Sequence, residues 1–281
     1  MPLATLWLQK LRLDVGWLPT DPSDNLTSFA GRTPMQIALE ARNLVKQYPG
    51  VVAVNDVSFT VAEGVCFGLL GPNGAGKTTT LRMLYTLMQP DSGQVLVDGV
   101  DVAADPEAAR RALGVLPDAR GVYKRLTARE NIAYFGALHG LDKATIDART
   151  ERLVQALNMQ DFIDRRTEGF SQGQRTKTAI ARALVHDPRN VVLDEPTNGL
   201  DVMTTRGLRE FLKQLRGEGR CVVFSSHIMQ EVAALCDRIV IIAKGTVVAA
   251  GTPDELRALY GEDNLEEAFV KAIGSEEGLL A

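Results

Sequence analysis

The chain has 281 residues, 45% of them hydrophobic, which is enough apolar sequence for one large domain or two smaller ones. Its formal net charge is −4 at pH 7, so bulk electrostatics give no reason to expect a nucleic-acid partner. No apolar run approaches the roughly 20 residues that span a bilayer, which argues against a transmembrane helix. The three cysteines stand alone within strand or helix patterns, so we expect core thiols in a reducing compartment, not disulfides or metal ligands.

Residues 1–34 differ in pattern from the rest of the chain. Apolar residues at helical spacing and both tryptophans come first, and a stretch rich in Pro, Ser, Thr and Asp follows. Lys10 and Arg12 interrupt the apolar run and no charged region precedes it, so we do not expect a signal peptide. Three interpretations of the segment are open. It is a frayed extension, it results from an early start codon ahead of Met35, or it is an amphipathic helix that lies on a membrane or a partner.

The globular part begins with two segments that alternate or run apolar as strands do, Gln36–Leu44 and Val54–Val61. Tyr48 lies between them, next to a Pro-Gly turn. An aromatic on a loop here could stack on a nucleotide base, or it could be an ordinary half-buried tyrosine. Further on, Val65–Leu70 is predicted to form a buried parallel strand and Thr79–Leu87 a helix.

Between that strand and that helix lies a glycine-rich loop that fits the pattern G-x-x-x-x-G-K-[ST]. Glycines let the backbone approach a polyphosphate closely, and successive N–H groups at a helix start make a nest for its oxygens. Lys77 supplies a point charge for the β- and γ-phosphates, and the hydroxyl of Thr78 is a hard ligand suited to Mg²⁺. The loop therefore predicts a site for a nucleoside triphosphate. Its residues are Gly71, Pro72, Asn73, Gly74, Ala75, Gly76, Lys77, Thr78 and Thr79.

Strands and helices alternate after the loop, which argues for a mostly parallel sheet flanked by helices. No strand signal occurs from Thr127 to Glu168, so this stretch is predicted to be a helical insert. The predicted strands are Gln94–Val97, Val100–Val102, Gly114–Leu116, Asn190–Leu193, Cys221–Ser225, Arg238–Ile242 and Thr246–Ala249. The predicted helices are Pro106–Leu113, Thr127–Leu138, Lys143–Leu157, Gln172–His186, Val202–Arg216, Ile228–Cys236, Pro253–Tyr260 and Leu265–Ile273.

Three more groups of polar residues lie at predicted strand ends or helix starts, where an α/β sheet presents its functional groups. Asp194 ends a buried strand and could hold Mg²⁺, while its neighbour Glu195 points to the other side and could polarise an attacking water. His227 ends the next strand, where it could contact a γ-phosphate or orient water. Ser171 and Gly173 open a helix and make a second anion site, which suggests that two copies pair head to tail.

The order of these motifs resembles that of the ATP-binding subunits of ABC transporters, over about residues 36–251. After the loop come Phe170-Ser-Gln-Gly-Gln174, Leu193-Asp-Glu-Pro196, Asn198-Gly-Leu-Asp201 and Ser225-Ser-His227. The resemblance implies an α/β fold of the P-loop NTPase class and the ABC ATPase type. It has a mostly parallel sheet core, an antiparallel β subdomain and a helical subdomain at about 127–168. On this basis the chain divides into an extension and linker (1–34), an ABC ATPase domain (35–251) and C-terminal helices (252–281).

The resemblance also implies a role for each matching position, with ATP and Mg²⁺ as ligands. Tyr48 matches the aromatic that stacks on adenine. Asp194 matches the Walker B aspartate, Glu195 the catalytic glutamate and His227 the switch histidine. The signature residues Ser171, Gly173 and Gln174 match those that bind ATP held by the opposite subunit, and Asp201 belongs to the D-loop of the dimer contact.

Two positions depart from the family pattern. The usual Gly-Gly pair of the signature is Gln172-Gly173 here, which keeps the residues expected to touch phosphate. The Q-loop glutamine is replaced by Asp118, an acid that could bind Mg²⁺ directly. This acidic Q-loop, the following Arg-Gly-x-Tyr123 and the ending at 264–271 resemble the NatA-like branch of sodium exporters.

The sequence therefore predicts an ATP-hydrolysing transporter subunit, paired as a homodimer or heterodimer, that powers a separate membrane permease from the cytoplasmic face. Sodium export is the cargo that the branch suggests. The alternative is a soluble ABC-type ATPase that acts on DNA or the ribosome. A single domain, a short helical insert and an acidic balance disfavour it. A non-hydrolysing regulator is disfavoured because Glu195 and His227 are both present.

Overall fold

The computed structural model describes residues 36–119 and 121–274, so the interpretations of residues 1–34 and of Arg120 lie outside the described residues. In chain order the strands are β1 (Ile37–Tyr48), β2 (Val51–Ala62), β3 (Cys66–Leu70), β4 (Ser92–Val97), β5 (Val100–Asp101), β6 (Leu113–Leu116), β7 (Asn190–Leu193), β8 (Cys221–Ser226), β9 (Arg238–Ala243) and β10 (Thr246–Gly251). The helices are α1 (Lys77–Leu84), α2 (Pro106–Ala112), α3 (Ala128–Leu138), α4 (Lys143–Ala156), α5 (Gln172–Leu184), α6 (Val202–Gly217), α7 (Met229–Leu235), α8 (Pro253–Tyr260) and α9 (Leu265–Ile273).

The described strands form two sheets. One is antiparallel, with the order β2-β1-β4-β5. The other has the order β10-β9-β3-β8-β7-β6; its strands β9, β3, β8, β7 and β6 run parallel, and β10 pairs antiparallel at one edge. The predicted mostly parallel core sheet is confirmed. Because its strands are parallel, the carboxyl ends of β3, β7 and β8 lie at the same edge of the sheet.

Side chains of the parallel strands alternate between two hydrophobic cores. Cys66 and Leu70 of β3 pack in the core that α3 to α9 cover. Phe67 and Leu69 of the same strand pack in the core shared with the antiparallel sheet, α1 and α2. Every residue of β3, β7 and β8 is buried, which explains why these strands are mostly apolar, with polar residues only at the start of β7 and the end of β8.

The structure corrects several predicted boundaries. Strand β1 continues past Leu44 to Tyr48, so Tyr48 ends a strand and is not in a loop. Helix α1 begins at Lys77, before the predicted Thr79, because Gly76 with φ 104° brings the chain directly into the first turn. It ends at Leu84, ahead of the predicted Leu87. Leu113 opens strand β6 instead of closing the preceding helix.

Two of the exclusions made from composition can be compared with the described residues. Cys66, Cys221 and Cys236 are all buried and free, so the interpretation of the cysteines as core thiols is confirmed. Among the helices of residues 36–119 and 121–274, none has the length and apolar character needed to cross a membrane.

Candidate nucleotide-binding and hydrolysis site

The glycine-rich loop joins the end of β3 to the start of α1 and has no room for a side chain at two of its glycines. A Cβ on Gly71 would lie 2.2 Å from the carbonyl oxygen of Ile242, and one on Gly76 would lie 2.4 Å from that of Ala53. Gly76 also has a left-handed φ that L side chains rarely adopt. Both glycines are therefore required where the loop packs on neighbouring backbone, which leaves its N–H groups at the edge of the sheet.

Lys77 is almost completely buried at this loop. Its ammonium donates to the carbonyl oxygens of Gly71 at 2.7 Å and Pro72 at 3.1 Å. The same nitrogen lies 3.4 Å from Oε1 of Glu195. The positive charge is thus held at the mouth of the loop, between the P-loop and an acid delivered by β7.

Asp194 is fully buried where β7 ends, and it accepts two hydrogen bonds through Oδ1. Ser225 Oγ donates to this oxygen at 2.7 Å and Thr78 Oγ1 donates at 3.2 Å. Oδ2 is buried and has no hydrogen-bond partner among the described residues. Burial raises the pKa of Asp194, and the charges of Asp118 and Glu195 raise it further, against hydrogen bonds from Ser225 and Thr78 that lower it. An unsatisfied carboxylate oxygen beside a hydroxyl fits a divalent cation such as Mg²⁺.

Glu195 is adjacent to Asp194 in the chain but has different contacts. Its φ of 47° places it in the left-handed region, which is uncommon for a residue other than glycine and often marks a functional site. Its backbone N–H donates to Ser225 Oγ at 2.9 Å. Its Oε2 lies 2.9 Å from Nδ1 of His227, while Oε1 faces Lys77. The carboxylate therefore lies between the switch histidine and the P-loop lysine.

The signature residues form a second contact group with the D-loop. Ser171 caps α5 in a reciprocal capping box with Gln174. A Cβ on Gly173 would lie 3.1 Å from Cγ2 of Thr204 on α6. Thr204 in turn donates through its backbone N–H and its hydroxyl to Asp201, the N-cap of α6. The starts of α5 and α6 are therefore packed together, which brings the signature motif and the D-loop side by side.

Tyr48 and Asp118 lie at the margins of these groups. The ring of Tyr48 is 39% exposed, and its hydroxyl lies 3.2 Å from Sδ of Met88. Asp118 is exposed, and its charge acts on the pKa of Asp194. The described residues contain no group of three or more His, Cys, Asp or Glu side chains placed to hold a metal. Direct ligation by Asp118 remains a prediction.

The sequence analysis gave no role to Ser225, although this hydroxyl bonds to both Asp194 and the backbone of Glu195. Its position at the carboxyl end of a buried strand, beside the strand that carries two acids, is the signal that could have found it. The sequence analysis also gave no role to Glu231, a buried acid in the first turn of α7.

Comparisons with known proteins show the family to which this chain is similar. The family model for ABC transporters matches residues 54–198. The ABC transporter ATP-binding protein NatA of Bacillus subtilis (strain 168) is 47% identical over 218 residues, which cover 77% of this chain and 87% of that protein. A solved ATP-binding subunit of an ABC transporter superposes with a TM-score of 0.77 at 30% identity, covering 84% of this chain and 99% of the other. The dimeric cassette MJ0796 in a post-hydrolysis state with ADP and Pi has a TM-score of 0.71 at 25% identity, covering 76% and 98%.

Proposed function

Because this chain belongs to the ABC transporter family as an ATP-binding, ATP-hydrolysing subunit, we propose that it powers a separate membrane permease. In this proposal two ATPase subunits enclose ATP, closing when it binds and reopening when it is hydrolysed. The subunit would lie on the inner face of the membrane, held there by the permease. The partner subunit is either a second copy or a homologue.

The observation that carries the hydrolytic part of the proposal is the cluster at one sheet edge. Side chains from three parts of the chain meet there through contacts of 2.9 to 3.4 Å. They are Lys77, Thr78, Asp194, Glu195 and His227. We assign Glu195 to orient or deprotonate the attacking water and Lys77 to bind the β- and γ-phosphates. His227 holds the Glu195 carboxylate and faces the same space. Phosphoryl transfer depends mostly on such positioning and on charge stabilisation.

We propose that Mg²⁺ accompanies ATP at this edge, held by Asp194 and Thr78. The unsatisfied Oδ2 of Asp194 and the neighbouring hydroxyl support this choice. When bound, the ion would neutralise charge on the phosphate oxygens. Asp118 is the third proposed oxygen ligand, and Tyr48 is proposed to stack on the adenine. The P-loop backbone from Gly71 to Thr79 would hold the phosphates.

We propose that Ser171, Gly173 and Gln174 act on ATP held by the opposite subunit, with Asp201 in the dimer contact. In support, the two residues that follow Asp201 are large, apolar and exposed: Val202 at 82% and Met203 at 73%. Exposed apolar side chains beside a polar motif are typical of a protein interface. The relative MJ0796 forms a dimer in its solved structure.

For the permease we propose a docking surface made of Tyr134 and Leu138 on the helical insert together with Tyr123, which precedes the insert. These side chains are 50%, 46% and 65% exposed. The two tyrosine rings meet edge to face with centroids 5.4 Å apart, so the surface is pre-arranged. Phe135 adjoins them and lies under the guanidinium of Arg182, 4.7 Å from the ring centroid. Since Arg182 lies on α5, this surface connects physically to the helix that Ser171 caps.

For the cargo, Na⁺ is the hypothesis to test first, and it rests on the resemblance of the acidic Q-loop and the C-terminal ending to the NatA-like branch. The 47% identity to NatA supports that placement within the family. An ATPase subunit does not contact the transported solute, so the identity of the permease would carry the information about cargo that this chain lacks.

The test is to co-express the chain with a candidate permease and to measure ATPase activity in membranes across cations and hydrophobic compounds. Stimulation by Na⁺ that Glu195→Gln abolishes would support both Na⁺ as the cargo and Glu195 as the general base. Losing a general base lowers the rate about 10²–10⁴-fold. Tyr134→Ala/Leu138→Ala should remove the stimulation and spare basal activity. Leu259→Ala, an exposed leucine of α8, is the matched control. If the chain binds no permease and hydrolyses ATP alone at full rate, the result would instead favour a soluble ABC-type ATPase that acts on DNA or the ribosome.

A further inference from the structure

Glu231 is a buried acid that none of the assigned roles uses. It lies in the first turn of α7 and is only 3% exposed. Its Oε2 accepts a hydrogen bond from Thr197 Oγ1 at 2.5 Å and a longer one from Ser226 Oγ at 3.4 Å. Its Oε1 lies 3.7 Å from the guanidinium of Arg209 on α6. A buried carboxylate with this many partners holds its surroundings in one arrangement.

Two partners of Glu231 flank the hydrolytic side chains: Thr197 lies in the loop that carries Glu195, and Ser226 is the last residue of β8, next to His227. Thr197 comes two residues after Glu195, in consecutive tight turns: Asn198 N–H donates to the Glu195 carbonyl and Leu200 N–H to that of Thr197. These turns lead directly to Asp201. On the other side, Ser226 immediately precedes His227 in the chain. One carboxylate therefore joins the loop after β7 to the end of β8.

This connection lies beyond the pairing of β7 with β8, although Ser225 and Ser226 still pair with Leu69 and Leu70 of β3. The last backbone pair between β7 and β8 joins Leu193 to Phe224. Beyond it, Glu195 adopts a left-handed φ of 47°, which persists in a non-glycine residue only where the surroundings enforce it. Ser225 Oγ holds the Glu195 backbone from one side. The contact from Thr197 to Glu231 fixes the same loop two residues later.

We propose that Glu231 is a positioning residue for ATP hydrolysis, which aligns Glu195 with His227 by holding Thr197 and Ser226 on one buried carboxylate. It contacts neither proposed reacting group, so it acts through the loops. The inference uses the roles proposed for Glu195 and His227. It predicts that Glu231 affects the rate of hydrolysis much more than the binding of ATP.

The test compares steady-state ATPase kinetics of the purified full chain and matched variants. Glu231→Gln keeps the size of the side chain but loses the charge that faces Arg209. Thr197→Val removes the hydroxyl at nearly constant shape, and Thr197→Ser restores it. We expect Glu231→Gln and Thr197→Val each to lower kcat about 10- to 100-fold, the range for loss of a hydrogen bond to a charged group, with KM for ATP changed less than about two-fold. Thr197→Ser should retain most of the activity.

A double variant separates positioning from general damage to the fold. If one hydrogen bond carries both effects, Glu231→Gln/Thr197→Val should be no slower than the slower single variant. Glu210→Gln, an exposed glutamate of α6 that pairs with Lys213, is the control and should behave as wild type. The inference is overturned if both single variants keep kcat within two-fold, if KM rises as much as kcat falls, or if the two losses multiply.

Glu195→Gln is measured alongside to keep the two proposals distinguishable. If Glu195→Gln retains activity, the role proposed for Glu195 is wrong. If Glu195→Gln is inactive while Glu231→Gln is unaffected, only the positioning role fails. Should Glu231→Gln not fold, the pair Thr197→Val and Thr197→Ser tests the same hydrogen bond from its other end.

Discussion

Ser225→Ala is the perturbation that tests most directly how this site is held together. The Ser225 hydroxyl is fully buried between the two acids of the site. It donates to Oδ1 of Asp194 at 2.7 Å and accepts from the backbone N–H of Glu195 at 2.9 Å. The variant removes a single oxygen atom and so breaks both contacts without adding volume.

The expected size of the effect follows from those two contacts. A hydrogen bond to a charged group contributes about 1.5–3 kcal/mol, and a buried N–H left without a partner costs about 1–3 kcal/mol. The free energy of unfolding should therefore fall by about 4 kcal/mol in Ser225→Ala. ATPase activity should fall as well, by about 10- to 100-fold, because Asp194 loses one of its two donors and Glu195 loses a contact that holds its left-handed backbone.

Urea unfolding and steady-state ATPase measurements on the same preparation check both expectations. Ser58→Ala is the matched control, since Ser58 Oγ also accepts from a backbone N–H, that of Asn43 at 2.8 Å, but in the exposed part of the antiparallel sheet. The free energy of unfolding of Ser58→Ala should fall by about 1 kcal/mol or less, and its ATPase activity should be unchanged. If Ser225→Ala unfolds within 1 kcal/mol of wild type and hydrolyses ATP within two-fold of it, the bridging role of this hydroxyl is refuted.

Two further predictions concern pH and packing. Burial, and then the charge of His139, lower the pKa of His186 from 6.5 to about 4, so the unfolded chain binds more protons over this range and stability falls as pH drops. Between pH 7 and pH 5, the free energy of unfolding of the wild type, measured in urea, should fall by about 2 kcal/mol more than that of His186→Gln. Equal decreases in the two proteins would contradict this prediction. Gly173→Ala should cost about 1 kcal/mol, because the new Cβ meets Thr204, whose hydroxyl is held by Asp201. Adding Thr204→Ser to Gly173→Ala removes the nearest methyl and should restore about half of the lost free energy of unfolding. Equal Tm values for wild type, Gly173→Ala and the double variant would count against the contact.

Local sequence patterns were sufficient for the core sheet and the phosphate-binding loop. The P-loop spacing is a local sequence pattern, although the backbone that excludes a Cβ on Gly71 and Gly76 comes from Ile242 and Ala53, elsewhere in the chain. The strand that ends at Asp194 is short, apolar and buried on both faces, so its acids stand out in the sequence. These features depend on a few adjacent residues, which is why they could be recognised without the structure.

The full length of β1 could not be predicted from its pattern, for a physical reason. Its pairing with β2 shifts register between Ala41 and Leu44 and again before Tyr48, and Asn43 in the first irregularity has a φ of 47°. Each bulge changes which face the following side chains take, so the alternation of period two stops near Leu44 although the strand continues. The loop position expected for Tyr48 was wrong for this reason.

The hydrogen bonds around Asp194 and Glu195 could not be predicted from the sequence, for a different reason. They join side chains about thirty residues apart, such as Ser225 to Asp194 and Thr197 to Glu231. Hydrophobic periodicity reports which face of an element is buried, but it carries no information about which hydroxyl meets which carboxylate. These partners become visible only once the register of β7 against β8 is known.

That register also explains how two adjacent acids can serve two purposes. The backbone ladder ends at Leu193, and the next residue still follows the strand, so Asp194 points into the buried space beside Thr78. The left-handed φ of Glu195 then turns the chain, and its carboxylate reaches Lys77 and His227 instead. The left-handed backbone of Glu195, two residues after the last strand pair, thus directs the proposed base away from the proposed cation ligand, Asp194. The side chains of Ser225 and Glu231 supply the hydrogen bonds that keep this turn in place where the sheet no longer does.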